Sequence, residues 1–184
     1  MKLRPYQRRL IDVALKHIAD YPEASPLIVA PTASGKSVIV AELCIELSRQ
    51  SAGMVLVLTH RRELVAQNAS KLPEHLDVGV YSAGLRRKEL KRVTVAGFQS
   101  LRKQATKLPK VSYILIDEAH FALTGYREFI EAVREHSPGV RVIGLTATPF
   151  DGSVNRTALH LLPADKRIFT GIGAEVTMGE LLRD

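Results

Sequence analysis

The sequence predicts an α/β fold, with a mainly parallel sheet and helices on both of its faces. Three observations predict it. Short apolar runs rich in β-branched residues recur along the 184 residues. Segments with helical spacing of apolar residues separate most of them, and this alternation suits a parallel sheet, whose connections need crossovers of helical length. Several runs are apolar at consecutive positions, the pattern of strands covered on both faces.

A leading helix is expected over Pro5–Ala19, with Leu10, Val13, Ala14 and Ile18 at helical spacing. The strand Leu27–Ala30 follows, then a helix over Lys36–Arg49, the strand Met54–Thr59 and a helix over Arg61–Leu72. Strands over Val78–Ser82 and Val93–Gly97 precede a short helix, Phe98–Lys103. The strand Tyr113–Asp117, a helix over Gly125–His136 and the strand Val140–Thr146 complete the alternation. The basic run between Ser82 and Arg92 reads either as a solvated helix face, with Glu89 balancing some charge, or as a surface for an anionic partner. After Asp151 the rhythm is lost. Gly152, Gly171, Gly173 and Gly179 interrupt it, and only a short helical pattern, Met178–Arg183, closes the chain.

Composition narrows the class. Hydrophobic residues make up 46% and charged ones 24%, which is globular usage. The single cysteine, Cys44, excludes a disulfide framework and falls in an apolar helix, as a core residue does. No apolar run approaches the ~20 residues of a membrane span, and the basic start lacks the apolar stretch of a secretory signal. A cytosolic protein is expected, nucleoid-associated in a bacterial or phage setting. Lys and Arg number 26 against 19 Asp and Glu, a net +7 that suits a polyanion or simply solubility. The absence of Trp and only 5% aromatics argue against a base-stacking platform. His17, His60, His75, His136 and His160 lack ligand spacing and are expected at the surface or in caps.

The most informative stretch is Leu27–Ser37, LIVAPTASGKS, followed by an apolar helix. Strand, loop, Gly-Lys-Ser and helix are the layout that phosphate binding needs. Loop N–H groups and a helix N-terminus cradle phosphate oxygens. Gly35 permits close backbone approach, Lys36 places an ammonium on the β- and γ-phosphates, and Ser37 offers a hydroxyl to Mg²⁺. Pro31, Thr32, Ala33 and Ser34 complete the loop, with Ala30 where the strict pattern begins with Gly. The second half of such a site is an acidic pair at the end of a buried strand. Asp117 ends an apolar strand, placed to hold Mg²⁺, and Glu118 beside it is placed to orient and deprotonate a water attacking the γ-phosphate.

These motifs, together with others in order, resemble the first RecA-like P-loop NTPase domain of a superfamily 2 helicase, over nearly the whole chain. Ala30–Ser37 resembles motif I, Asp117–His120 reads DEAH as in motif II, and Thr146–Thr148 reads TAT as in motif III. Leu58–Gln67 resembles motif Ia, Val95–Leu101 motif Ib, and Leu3–Gln7 the Q-motif region of the RecG and type III restriction-like branch. The resemblance implies that Gln7 hydrogen-bonds adenine. It implies also that Lys36, Ser37, Asp117 and Glu118 serve ATP and Mg²⁺, and that His120, Thr146 and Thr148 couple nucleotide state to domain closure. Ala33 stands where many relatives have Gly; an alanine fits there with a negative φ, and the departure bears on affinity.

The resemblance also implies a nucleic-acid face, with DNA favoured and RNA the alternative. Arg61 and Arg62 open a helix just beyond a strand, and Gly84, Arg86, Arg87, Gln99 and Ser100 fall in segments that touch the tracking strand in this superfamily. Such contacts hold the backbone and read little sequence. Residues 1–150 are thus expected to be the ATP-binding domain, and residues 151–184 an exit segment leading to a second RecA-like domain missing from this chain. The expected function is that of an ATP-dependent helicase or translocase. The alternatives are a restriction-type or remodelling motor that does not unwind, or a binding module without turnover.

Overall fold

The computed structural model describes residues 3–122, 124–151 and 156–181. Its elements in order are α1 (Pro5–Asp20), β1 (Pro26–Val29), α2 (Lys36–Gln50), β2 (Met54–Thr59), α3 (Arg62–Lys71), β3 (Val78–Ser82) and β4 (Arg87–Lys88). They continue with β5 (Val93–Gly97), α4 (Phe98–Leu101), β6 (Val111–Asp117), α5 (Thr124–His136), β7 (Arg141–Thr146), β8 (Gly171–Glu175) and α6 (Met178–Leu181). Among the described residues the sheet has eight strands, in the order β4-β3-β5-β2-β6-β7-β1-β8. Every pairing is parallel except that of β3 with β4.

Strand alternation builds the layers. Ile28, Val55, Val57, Val95, Leu115 and Ile143 point to one side and share a core with α1, α2 and Val65 of α3. Leu27, Leu56, Leu58, Ile114, Ile116 and Val142 point to the other and meet α4 and α5. Every residue of β1 and of β2 is buried, as consecutive apolar positions demand of strands covered twice. No helix among the described residues is long and apolar enough to cross a membrane.

Three segments differ from expectation. The basic run after Ser82 is not a helix face: a 3-10 turn over Ala83–Leu85 leads into β4, antiparallel to β3. The expected helix over Phe98–Lys103 is α-helical only to Leu101, after which a 3-10 segment, Arg102–Lys107, continues it. The region without rhythm contributes β8, parallel to β1. Its sequence hides it, since two of its five residues are glycines and only Ala174 is buried. Of the expected final helix, Met178–Leu181 forms, while Arg183 lies outside the described residues, as does Gly152.

The consequence for function is directional. Because β1, β2, β3, β5, β6 and β7 run parallel, their carboxyl ends lie along one rim, where ligands bind in open α/β sheets.

Candidate phosphate site and basic face

β1 ends at Val29, and Ala30 donates its N–H to the Thr146 carbonyl at 2.9 Å, tying the loop's start to the end of β7. Gly35, the N-cap of α2, adopts φ 75° and ψ 39°, left-handed values that glycine takes without a Cβ penalty. Ala33 also has a positive φ, 68°, which corrects the expectation of a negative one. The tight loop imposes it, and it strains an alanine by roughly 1–2 kcal/mol.

Two side chains of α1 brace this loop from behind. The Tyr6 hydroxyl and Gln7 Nε2 both donate to the Ser34 carbonyl, at 2.9 and 3.0 Å. Gln7 Oε1 accepts from the Arg4 N–H at 3.0 Å. Gln7 is therefore buried against the loop, with one N–H and one lone pair still uncommitted.

The first N–H groups of a helix have no acceptor in their own helix. Among the described residues, those of Lys36 and Ser37 find none elsewhere, and the buried Ser34 hydroxyl has no partner either. Pro31 and Ser37 are half-buried, and Thr32 is exposed. The loop thus offers unsatisfied donors around a left-handed turn, which fits a phosphate chain.

Asp117 and Glu118 arrive at this loop from β6. Lys36 Nζ lies 3.8 Å from Glu118 Oε1 and 3.4 Å from the Ala30 carbonyl. Glu118 itself has φ 53°, a left-handed turn at the strand end that presents its carboxylate toward Lys36. Asp117 is buried; its Oδ1 accepts from the Glu118 N–H at 3.0 Å and its Oδ2 from Asn68 Nδ2 at 2.8 Å. Each oxygen keeps lone-pair capacity, and a carboxylate and a serine hydroxyl, the groups of Asp117 and Ser37, are oxygen donors of the kind that suits Mg²⁺.

The chain of contacts continues to β7. His120 Nδ1 lies 3.5 Å from Glu118 Oε2 and 3.0 Å from the Thr146 hydroxyl. That hydroxyl donates to the Thr148 carbonyl at 2.9 Å and accepts from the Thr148 N–H at 3.1 Å. With its one proton committed, it accepts from His120, so Nδ1 carries the imidazole proton. Burial pulls the His120 pKa below its ordinary value against the opposing pull of Glu118.

The expected nucleic-acid residues lie farther along the same rim. Arg61 caps α3 and, like Arg62, is exposed. Arg62 lies over Gly84, where an added Cβ would sit 2.8 Å from its Cδ and the arginine side chain would have to shift. Ser100 Oγ accepts from the Ala83 N–H at 3.0 Å, joining α4 to the turn after β3. Arg86 and Gln99 are exposed, Arg86 at φ 54°. Three other charges of the basic run are committed within the chain. Arg87 pairs with Glu89 at 2.9 Å, Lys91 with Asp77 at 3.1 Å, and Arg92 donates to the carbonyls of Ser48, Ser51 and Ala52 at the end of α2.

Sequence reasoning missed two partners. Tyr6 braces the loop, and Asn68 holds Asp117. The signal for Asn68 was present: it follows Val65 by three positions and precedes Leu72 by four, a polar residue on the buried stripe of α3.

A family model described as "Type III restriction enzyme, res subunit" matches residues 1–151. The Endoribonuclease Dicer of Danio rerio is 28% identical over 171 residues, covering 81% of this chain and 9% of its own length. The ATP-dependent DNA helicase Q4 of Homo sapiens is 27% identical over 186 residues, with 89% of this chain and 15% of that protein covered. Among solved structures, a nuclease-deletion mutant of the Type ISP restriction-modification enzyme LlaGI, in complex with a DNA substrate mimic, aligns with a TM-score of 0.70. It is 16% identical, over 100% of this chain and 20% of that one. The chain spans a small part of the length of each.

Proposed function

The chain belongs to the type III restriction enzyme res-subunit family and has the fold of the first RecA-like domain of superfamily 2 helicases, and from that premise we propose that it is the ATP-binding half of an ATP-dependent motor acting on nucleic acid. One observation carries the reading: the contacts running from Lys36 through Glu118 and His120 to Thr146 and Thr148. They join the phosphate loop, the acidic pair and a third strand end in one cluster.

In this reading the loop N–H groups and the Lys36 ammonium bind the β- and γ-phosphate oxygens of ATP. Ser37 and Asp117 hold Mg²⁺, which when bound offsets phosphate charge. Glu118 orients the attacking water and takes its proton. His120, Thr146 and Thr148 pass the state of the γ-phosphate position to the surface. Gln7 meets adenine with the N–H and lone pair its brace leaves uncommitted.

Arg61, Arg62, Gly84, Arg86, Gln99 and Ser100 follow a phosphodiester backbone without reading bases. DNA is favoured over RNA by the DNA helicase name of one relative and the DNA substrate mimic held by the solved neighbour. Residues 1–150 carry the motifs of the ATP-binding domain, and residues 151–184, whose strand β8 adds to its sheet beside β1, lead on to a second RecA-like domain, which supplies the opposing arginine that the γ-phosphate's transition state needs.

The test uses the 184-residue chain with fluorescent ATP, then phosphate release with DNA or RNA added. Weak Mg²⁺-dependent binding and turnover near background are expected, with polynucleotide affinity falling steeply as salt rises. An absence of nucleotide binding overturns the reading. Strong DNA-stimulated turnover, lost in Glu118→Gln, shows that the chain is a complete enzyme and removes the need for a second domain. Once a second domain is joined, strand displacement separates an unwinding motor from a translocase, and continued lack of turnover leaves a binding module.

A further inference from the structure

Asp117 has one side-chain hydrogen bond from another element among the described residues, and Asn68 makes it. Asn68 is 1% exposed, on the inner face of α3, and its Nδ2 reaches Asp117 Oδ2 at 2.8 Å. The orientation of its amide is chemically fixed: reversed, it would set a carbonyl oxygen against a carboxylate oxygen. The other end of the amide, Oδ1, is buried with no partner.

That orphaned oxygen is informative. A buried acceptor left unmade costs about 1–3 kcal/mol, and asparagine is a poor helix former. A leucine at this position of the apolar stripe would serve α3 better. The amide is therefore poorly explained by packing and well explained by the carboxylate it touches.

α3 also joins the two ends of the rim. Its first turn carries exposed Arg62, beside Arg61 at the N-cap, and Asn68 lies six residues on, about 9 Å along the helix. We propose that Asn68 is a positioning residue for Asp117: its amide fixes the carboxylate in the orientation that receives Mg²⁺, so that the seating of α3 sets the metal requirement of nucleotide binding. The proposal rests on the phosphate-site reading above.

The experiment titrates Mg²⁺ into the 184-residue chain with a fluorescent ATP analogue and compares it with Asn68→Leu, Asn68→Ser and Asp117→Ala. Thermal melting checks folding, and binding in EDTA measures the metal-independent affinity. Removing the partner of a metal-binding carboxylate typically costs tenfold or more in metal affinity. Asn68→Leu should therefore need about tenfold more Mg²⁺ for half-saturation, with its EDTA affinity unchanged and its melting temperature equal or higher. If Asn68→Leu does not fold, Asn68→Ser, whose hydroxyl is too short to reach Asp117, should show the same shift. A folded Asn68 variant with a Mg²⁺ half-saturation within about twofold of the parent overturns the proposal. A loss of affinity equal in EDTA and in Mg²⁺ overturns it too, since that marks general damage to the loop. If Asp117→Ala leaves the Mg²⁺ dependence unchanged, the phosphate-site reading itself falls, and the proposal with it.

Discussion

The two ends of the rim are built differently. At the β1–β7–β6 end, the candidate residues are mostly buried or half-buried, and hydrogen bonds and ion pairs run between them from Lys36 to Thr148. At the β2–β5–β3 end, Arg61, Arg62, Arg86 and Gln99 are exposed, and glycine and a serine hydroxyl shape the surface beneath them. In the proposed reading the first end serves one small, highly charged ligand whose reaction needs fixed geometry, and the second a long polyanion that slides, where a rigid and specific grip would oppose movement. Preorganisation would then be concentrated where bonds are to break.

Four variants, one of them a double substitution, sharpen or break this contrast. The largest effect is expected of Glu118→Gln in a protein that joins this chain to a second RecA-like domain. The amide keeps the shape but cannot accept a proton, so phosphate release should fall about 10²–10⁴-fold while ATP binding persists. Parallel binding and turnover assays check this, and unchanged turnover would remove Glu118 from the chemistry. Lys36→Ala comes next. Loss of a charge-assisted contact of about 1.5–3 kcal/mol should weaken Mg²⁺-ATP binding by roughly 10–100-fold, as read by fluorescence titration.

The other end should respond in a different quantity. Arg61→Ala with Arg62→Ala should weaken all DNA sequences alike and flatten the slope of log affinity against log salt by about 1.4–1.8. ATP binding without DNA should not change; if it does, the two ends are not separable. The smallest effect is expected of Ala33→Gly. It relieves the strain at φ 68°, but glycine loses more freedom on folding, so a net gain near 0.5 kcal/mol should appear as a slightly higher melting temperature. A lower one would mean that the alanine methyl packs usefully in the loop.

What could be read in advance follows the range of the interactions. The loop Ala30–Ser37 and the pair Asp117–Glu118 are local motifs beside strands whose apolar runs are self-evident, so both were legible in the sequence. Their convergence, and the parallel sheet that produces it, followed from the alternation of elements. Asn68 was not picked out, because its partner lies 49 positions away and a lone asparagine in a helix carries no chemistry until Asp117 is beside it. Strand β8 was invisible because an edge strand buried at one position needs no hydrophobic alternation. The basic run after Ser82 misled for a third reason. Charge spacing cannot tell a helix face from a turn whose arginines and lysines pair with Glu89 and Asp77 or cap α2.

The place of β1 in the sheet has a consequence for how the chain folds. Its only neighbours among the described strands are β7 and β8, both made long after it. As the chain emerges, β1 and the loop it carries have no strand to pair with until Arg141–Thr146 has followed, whereas β2, β5 and β6 can assemble from segments much nearer one another in sequence. Contacts of such sequence separation slow folding, since the intervening chain must be closed before they form. The loop is thus made well before the strand that sets it in place. Until then Leu27, Ile28 and Val29 are exposed to aggregation and to chaperones, and an early stop in synthesis leaves a chain that carries the phosphate-loop sequence without its site.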